Sequence, residues 1–163
     1  MDAYSAIRTK RDTRAYSDRP IPEDVAQRII QAGRMAGSSK NSQPCRLVVI
    51  HNPAQRQALS DCGDFAKHVP PAPLVIAVVL LPGGGAFDAG RVAQNMMVAA
   101  WAEGVTSCPT SMHHQDCARK VLGLPDDHQV QIVLPFGYPA EDAARRESRQ
   151  RLPLDDFAHS ERW

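Results

Sequence analysis

Lys10-Arg11-Asp12-Thr13-Arg14-Ala15-Tyr16 packs three cations into five residues, interrupted by a carboxylate and a hydroxyl. Charge of that density can hold a phosphate, while the short polar side chains take neighbouring hydroxyls or ring edges. On its own the segment reads better as a solvated charged turn. A second polar cluster, Gly37-Ser38-Ser39-Lys40-Asn41-Ser42-Gln43-Pro44, carries small residues that let a ligand approach the backbone. Its Asn and Gln amides can both donate and accept. A third segment, Arg145-Arg146-Glu147-Ser148-Arg149-Gln150-Arg151-Leu152-Pro153-Leu154, is by itself a basic surface run.

Other features tempt less. Pro82-Gly83-Gly84-Gly85 lacks the spacing of a phosphate loop and reads as a flexible connection. Cys108, His113, His114 and Cys117 follow an order that matches no common zinc site, so no metal is expected there. Cys45, Cys62, Cys108 and Cys117 form no C-x-x-C pair and no export signal precedes them, which makes them free thiols on a sequence reading. The apolar run Leu74 to Pro82 is too short to span a bilayer, and a cytoplasmic location is the default expectation.

Positioning these residues requires a core, and 163 residues with 43% hydrophobic content suffice for one domain. The formal charge of +1 argues against a dedicated nucleic-acid binder, and few aromatics interleave with the Arg-rich segments. Of 19 cations only four are Lys, a bias toward the residue suited to bidentate capture of phosphate or carboxylate. Pro22-Glu23-Asp24 starts a helix that the spacing of Val25, Ile29, Ile30 and Ala36 carries over 22–36. A helix-like start spans Ala3 to Thr9, and further helices fall at 54–61, 87–103 and 115–123, the last closing at Gly123. Leu47–Ile50, Leu74–Leu81 and Val130–Leu134 read as strands. Helices and strands therefore interleave around one sheet in an α+β or α/β layered fold. The helix at 87–103 is apolar on nearly every face in its second half, so a sheet covers one side and a second subunit is expected on the other. The tail from Pro153 to Trp163, with Phe157 and Trp163, likewise needs something to lie against.

Taken in order, these segments resemble the FMN-dependent nitroreductase family. Lys10 to Tyr16 is similar to its opening R-R-S-x-R-x-F, and Ala36 to Cys45 to its A-P-S-x-x-N-x-Q-P-W. Ala93-Gln94-Asn95-Met96-Met97-Val98-Ala99-Ala100 is similar to the central-helix A-Q-N-L-L-L-A-A. Gly137-Tyr138-Pro139, then Arg149 to Leu154, then His159-Ser160-Glu161-Arg162-Trp163 complete the resemblance, which covers nearly the whole chain.

The resemblance implies an α+β domain over 1–163 with a mixed or antiparallel central sheet, a domain-swapped homodimer, and FMN bound at the interface. The tail at 150–163 would lie on the partner subunit. Lys10, Arg11, Asp12 and Arg14 would hold the phosphate and the pyrimidine side of the flavin, and Gly37, Ser38, Ser39 and Asn41 would approach it from the partner chain. Pro109, Thr110 and Ser111 would bring backbone near the reactive ring, and Arg149 and Arg151 would return to the phosphate end. NAD(P)H would be the reductant and a nitroaromatic, quinone or similar small molecule the acceptor, with no side chain serving as a dedicated catalytic acid or base. Departures are Lys10 for Arg, Asp12 for Ser, Gly37 for Pro, Cys45 for Trp and a short 52–73 segment that lacks the family's covering insertion. An acid at position 12 near a phosphate calls for an offsetting cation, Arg11 or Arg14. Two alternatives stay open: a non-catalytic flavin-binding module, and a flavin-consuming enzyme of the cobalamin lower-ligand type, of which Asp12 is reminiscent.

Overall fold

A computed structural model describes residues 1–141, 143 and 150–163. In chain order the elements are α1 (Ala3–Thr9), α2 (Glu23–Arg34), β1 (Cys45–Ile50), α3 (Pro53–Ser60), β2 (Leu74–Leu80), α4 (Ala86–Ala102), β3 (Thr106–Ser107), α5 (Gln115–Leu122), β4 (Gln129–Gly137) and α6 (Leu154–Phe157). The strands form one antiparallel sheet in the order β1-β2-β4-β3, so the fold is α+β.

Residues alternate between faces along a strand, and β2 is buried on both. Leu74, Ile76, Val78 and Leu80 meet α2 and α4 in one cluster, while Val75 and Ala77 meet Leu59, Val69, Met112 and Ala118 in the other. This explains why β2 reads as an unbroken apolar run. β4 is longer than the Val130–Leu134 expectation. Its register shifts between Val78↔Ile132 and Val79↔Val130, leaving Gln131 as the extra residue and turning Val130 to the second cluster.

Helix ends follow local chemistry. Asn52 Oδ1 accepts from Ala54 N and Gln55 N at the start of α3, behind which Pro53 takes the first helical position. Gly123 closes α5 in the left-handed conformation at φ 65°. Gly33 sits where α2 crosses α4, and a Cβ there would lie 2.7 Å from Met96 Cγ.

One sequence expectation is corrected, and the surroundings of α4 bear on another. Within one chain α4 packs on the sheet, α2 and α1, which bury Ala89, Val92, Ala93, Met96, Met97 and Ala100, while Val98, Ala99 and Trp101 stay half-buried. Trp101 Nε1 donates to Thr9 Oγ1 at 2.9 Å, tying α1 to this helix. The sulfur atoms of Cys62 and Cys117 are joined in a disulfide across 55 residues of chain, with Cα atoms 5.5 Å apart. The end of α3 and the start of α5 are neighbours only in the folded chain, so spacing along the sequence could not reveal the pair. By contrast, residues 150–163 are exposed throughout, Leu152, Leu154, Phe157 and Trp163 each by more than two thirds. No helix among the described residues is long and apolar enough to cross a membrane.

Candidate functional site

The segment after α1 runs along the outer edge of the sheet. Asp12 bridges Ser107 of β3 in parallel, Thr13 N donates to Ser107 O at 3.2 Å, and Tyr16 bridges Pro139. The backbone of Lys10 to Arg14 is thereby fixed beside Cys108–Ser111, where Thr110 and Val133 exchange backbone hydrogen bonds at 2.9 Å. The structure thus brings together Lys10, Arg11, Asp12, Pro109, Thr110 and Ser111, with Arg14 at their margin.

Their side chains divide the work. Lys10 lies at the C-terminal end of α1, where a cation is favoured, and its ammonium is ion-paired to Asp12 and 3.5 Å from Met97 Sδ. The cation that offsets the unusual acid is therefore Lys10 rather than Arg11 or Arg14. Arg11 NH1 donates to Arg8 O at 3.1 Å and Lys10 O at 2.8 Å, satisfying carbonyls at the helix end. Arg14 is in no ion pair with a described residue and lines an open cleft of about 760 Å³ with Asp64, Phe65, Lys67 and His68. Ser107 Oγ is buried and has no hydrogen-bond partner among the described residues. A buried hydroxyl is costly to leave unmade, so its place beside the Asp12 backbone suits a ligand with acceptors.

Sequence reasoning missed His68. Its ring is buried under the cleft and its Nε2 donates to Cys108 O at 3.0 Å, tying the 61–73 segment to the stretch after β3 that carries Pro109. Burial, aided by the nearby Arg14 cation, lowers its pKa and keeps the imidazole neutral, against the raising effect of the Cys108 carbonyl. Burial also pushes the Tyr16 phenol well above its ordinary range. The segment around His68 is a run of turns without periodicity, so no sequence signal marked it.

The second cluster lies elsewhere. Ser38 Oγ accepts from Gln43 N at 2.8 Å, closing a loop in which Lys40, Asn41 and Gln43 all have positive φ, at 50°, 54° and 47°. Such conformations in Lys and Gln each cost on the order of 1 kcal/mol, and stored strain of this kind clusters at ligand sites. At Gly37 a Cβ would come within 2.9 Å of the Arg91 guanidinium, so the missing side chain keeps that approach open. The loop feeds β1 at Cys45, which pairs with Leu80 and through it Gln129, whereas β3 pairs with Phe136 and Gly137 at the other end of β4. The clusters thus occupy diagonally opposite corners of the sheet, about 14 Å apart across three strand spacings and ~20 Å along the strands. They also touch α4 at separate points, Arg91 in its first half and Met97 in its second. Arg151 is exposed in the tail, and Arg149 lies outside the described residues.

An α+β sheet wrapped by helices, with cationic and hydroxyl-rich loops at its corners, defines a class that comparison makes specific. The chain belongs to the nitroreductase family, whose profile matches residues 7–77 and 82–138. It is similar to the NADH dehydrogenase of Thermus thermophilus, at 28% identity over 195 residues covering 95% of this chain and 94% of that protein. It is also similar to the NADPH-flavin oxidoreductase of Vibrio harveyi, at 27% identity over 182 residues covering 99% of this chain and 75% of that protein. The FMN-dependent nitroreductase of Clostridium difficile R20291 shares the fold, with a TM-score of 0.86 and 20% identity over 98% of this chain and 99% of that one.

Proposed function

We propose that the chain is an FMN-dependent NAD(P)H oxidoreductase that works as a homodimer, each flavin site drawing on both subunits. Family membership and the flavin-dependent relatives support the cofactor and reductant. The separation of the two clusters supports the composite site: one mononucleotide cannot reach both corners of a single sheet, while a second copy can present its Gly37–Asn41 loop to the first copy's Lys10–Arg14 segment.

The residues present fit this cofactor. The Lys10–Asp12 pair is neutral as a unit, so Arg11, Arg14 and Arg151 supply the net positive charge that a dianionic phosphate and a reduced ring require. Ser107 Oγ and the strained Ser38–Asn41 loop offer hydroxyl and amide partners for ribityl and ring atoms. Held by these residues, FMN would supply the hydride-accepting and electron-passing chemistry between a nicotinamide and the acceptor. The chain positions that ring: backbone at Pro109–Ser111 stays rigid because Thr110 is bonded to Val133 and Cys108 O is held by His68. The apolar side chains of the tail, Leu152, Leu154, Phe157 and Trp163, would find on the partner the cover they lack at home. Nitroaromatics and quinones are the acceptor class, planar and able to lie against the ring.

The test is the visible spectrum of desalted protein after incubation with FMN, followed by NADH or NADPH under argon and then a quinone. A retained flavin band that bleaches and recovers supports the reading. Retention without bleaching means a binding module, and no retention overturns the cofactor assignment.

A further inference from the structure

The Cys62–Cys117 disulfide has no part in the flavin reading, yet it joins two segments that clip onto each other, 61–68 after α3 and 108–117 leading into α5. His114 N donates to Cys62 O at 3.0 Å, Asp64 N to His113 Nδ1 at 3.1 Å, and His114 Nε2 to Asp64 Oδ1 at 3.2 Å. At the far end of the clip His68 Nε2 donates to Cys108 O at 3.0 Å. Gly63 lies between, and a Cβ there would come within 2.9 Å of Ser111 O. The residue that follows Cys62 therefore rests against the backbone of 109–111.

The two sulfur atoms are not equivalent. Cys62 is fully buried beside Leu59 and Ala66, whereas Cys117 is half-buried in the first turn of α5. Thiol–disulfide exchange depends on access to the attacked sulfur, so attack falls on Cys117 with Cys62 as the leaving group. The fold also accommodates the opened bond. Cys62 Sγ lies 3.3 Å from Ala58 O, an acceptor that only the thiol has a hydrogen to use. Without the link, α3 stays on α5 through Gln55 Nε2, which donates to Val121 O at 3.2 Å, and through the apolar contacts of Leu59, Met112 and Ala118.

We propose that this bond is a redox switch, opened at Cys117 by a dithiol reductant, that sets how firmly the 61–68 turn braces the backbone of Pro109–Ser111. A thiolate of the reductant bonds to Cys117 Sγ, and the Cys62–Cys117 bond breaks with its electron pair on the Cys62 sulfur, which takes a proton. The reductant's second thiol then displaces Cys117 as a thiol and closes the reductant's own disulfide. Two electrons and two protons pass from the dithiol to the chain. A monothiol stalls after the first step, because Cys62 stays beside Cys117, with Cα atoms 5.5 Å apart, and attacks the mixed disulfide in return. The loosening follows from the clip alone, and its effect on cofactor affinity rests on the flavin reading above.

The test compares wild-type protein with its disulfide closed and the same protein opened by dithiothreitol in native buffer, each incubated with FMN. Opening should accelerate amide exchange in peptides covering 61–68 and 108–114 while far-ultraviolet circular dichroism is retained. FMN affinity should fall by about fivefold or more, the scale of coupling between linked sites. Glutathione disulfide, which takes the two electrons back, should reverse both effects. Cys62→Ala/Cys117→Ala should exchange as the opened protein does, with or without dithiothreitol. Brief exposure to glutathione and an acid quench should leave the mixed disulfide on Cys117, read by peptide mass. The switch is overturned if the bond opens only when the protein unfolds, if the adduct forms on Cys62, or if exchange in both peptides is the same in the two states. Unchanged affinity in a protein that does bind FMN overturns its role at the flavin site. A chain that binds no FMN in either state fails the flavin reading instead, and its exchange still reports on the switch.

Discussion

Cutting the Cys62–Cys117 link in a Cys62→Ala/Cys117→Ala variant should destabilise the protein by several kcal/mol. The disulfide closes a loop of 55 residues. Loop-closure entropy then restricts the unfolded chain by about 14 cal/mol/K, or ~4 kcal/mol at 25 °C. For a domain of this size, that corresponds to a fall of roughly 8–16 °C in Tm. Side-chain loss adds to this, because Cys62 is fully buried against Leu59 and Ala66. The control separates the two effects: wild-type protein unfolded in urea with a phosphine reductant loses the covalent link but keeps both sulfur atoms, and should show most of the same loss. The link also joins α3 to α5 at the root of the segment bearing Phe65, Lys67 and His68, so amide exchange at 61–73 should accelerate before global unfolding. If reduced and oxidised wild type unfold at the same urea concentration, or if a thiol-alkylating reagent labels both Cys62 and Cys117 in unreduced native protein, the reasoning fails.

Other consequences are simpler to state. Arg14→Ala and Arg151→Ala should each weaken FMN binding by about 1.5–3 kcal/mol, the scale of a hydrogen bond to a charged group; a fluorescence titration showing unchanged affinity in both would remove them from the site. Trp101→Phe deletes the 2.9 Å bond to Thr9 Oγ1 that docks α1 on α4, and should cost ~1 kcal/mol in urea unfolding. An unchanged midpoint would mean that α1 is not held there. Burial, reinforced by Cys108 and Asp12, raises the Tyr16 phenol in the folded state, so its contribution to stability is fully present below the unfolded value of about 10 and is lost as pH rises above it. Wild type and Tyr16→Phe should give the same ultraviolet phenolate absorbance up to about pH 11 while folded, and an excess in wild type would contradict this burial.

What could be read from the sequence depended on whether a signal was local. β2 was legible because both of its faces are buried, leaving an unbroken apolar run, and α4 because its buried positions recur at helical spacing. β4 was cut short because Pro135 looks like a terminator, although Pro135 pairs with Val75 inside the sheet. β3 was missed because two residues carry no pattern; their strand geometry is imposed by Phe136 and Gly137. The Lys10–Tyr16 and Ala36–Cys45 segments stood out through residue order. That one folds onto β3 and the other leads into β1 is a property of the sheet. Asp12 looked like a liability until its partner Lys10 was placed. Phe65, Lys67 and His68 sit on turns where only tertiary packing decides which side chains face the cleft.

The central claim, a flavin site assembled from two copies of the chain, is tested most directly by subunit complementation. Arg14→Ala disables the contribution from one corner of the sheet, and Ser39→Glu places a carboxylate in the loop at the other. Each variant alone should retain little FMN. Co-refolded in equal amounts, half of the dimers are mixed, and each mixed dimer concentrates both substitutions in one site while leaving the other wild type. Flavin absorbance of the desalted mixture should recover to about a quarter of the wild-type value. If both corners served a flavin within the same chain, or if the chain stayed monomeric, the mixture would hold no more flavin than the variants do separately, and the composite site would be refuted.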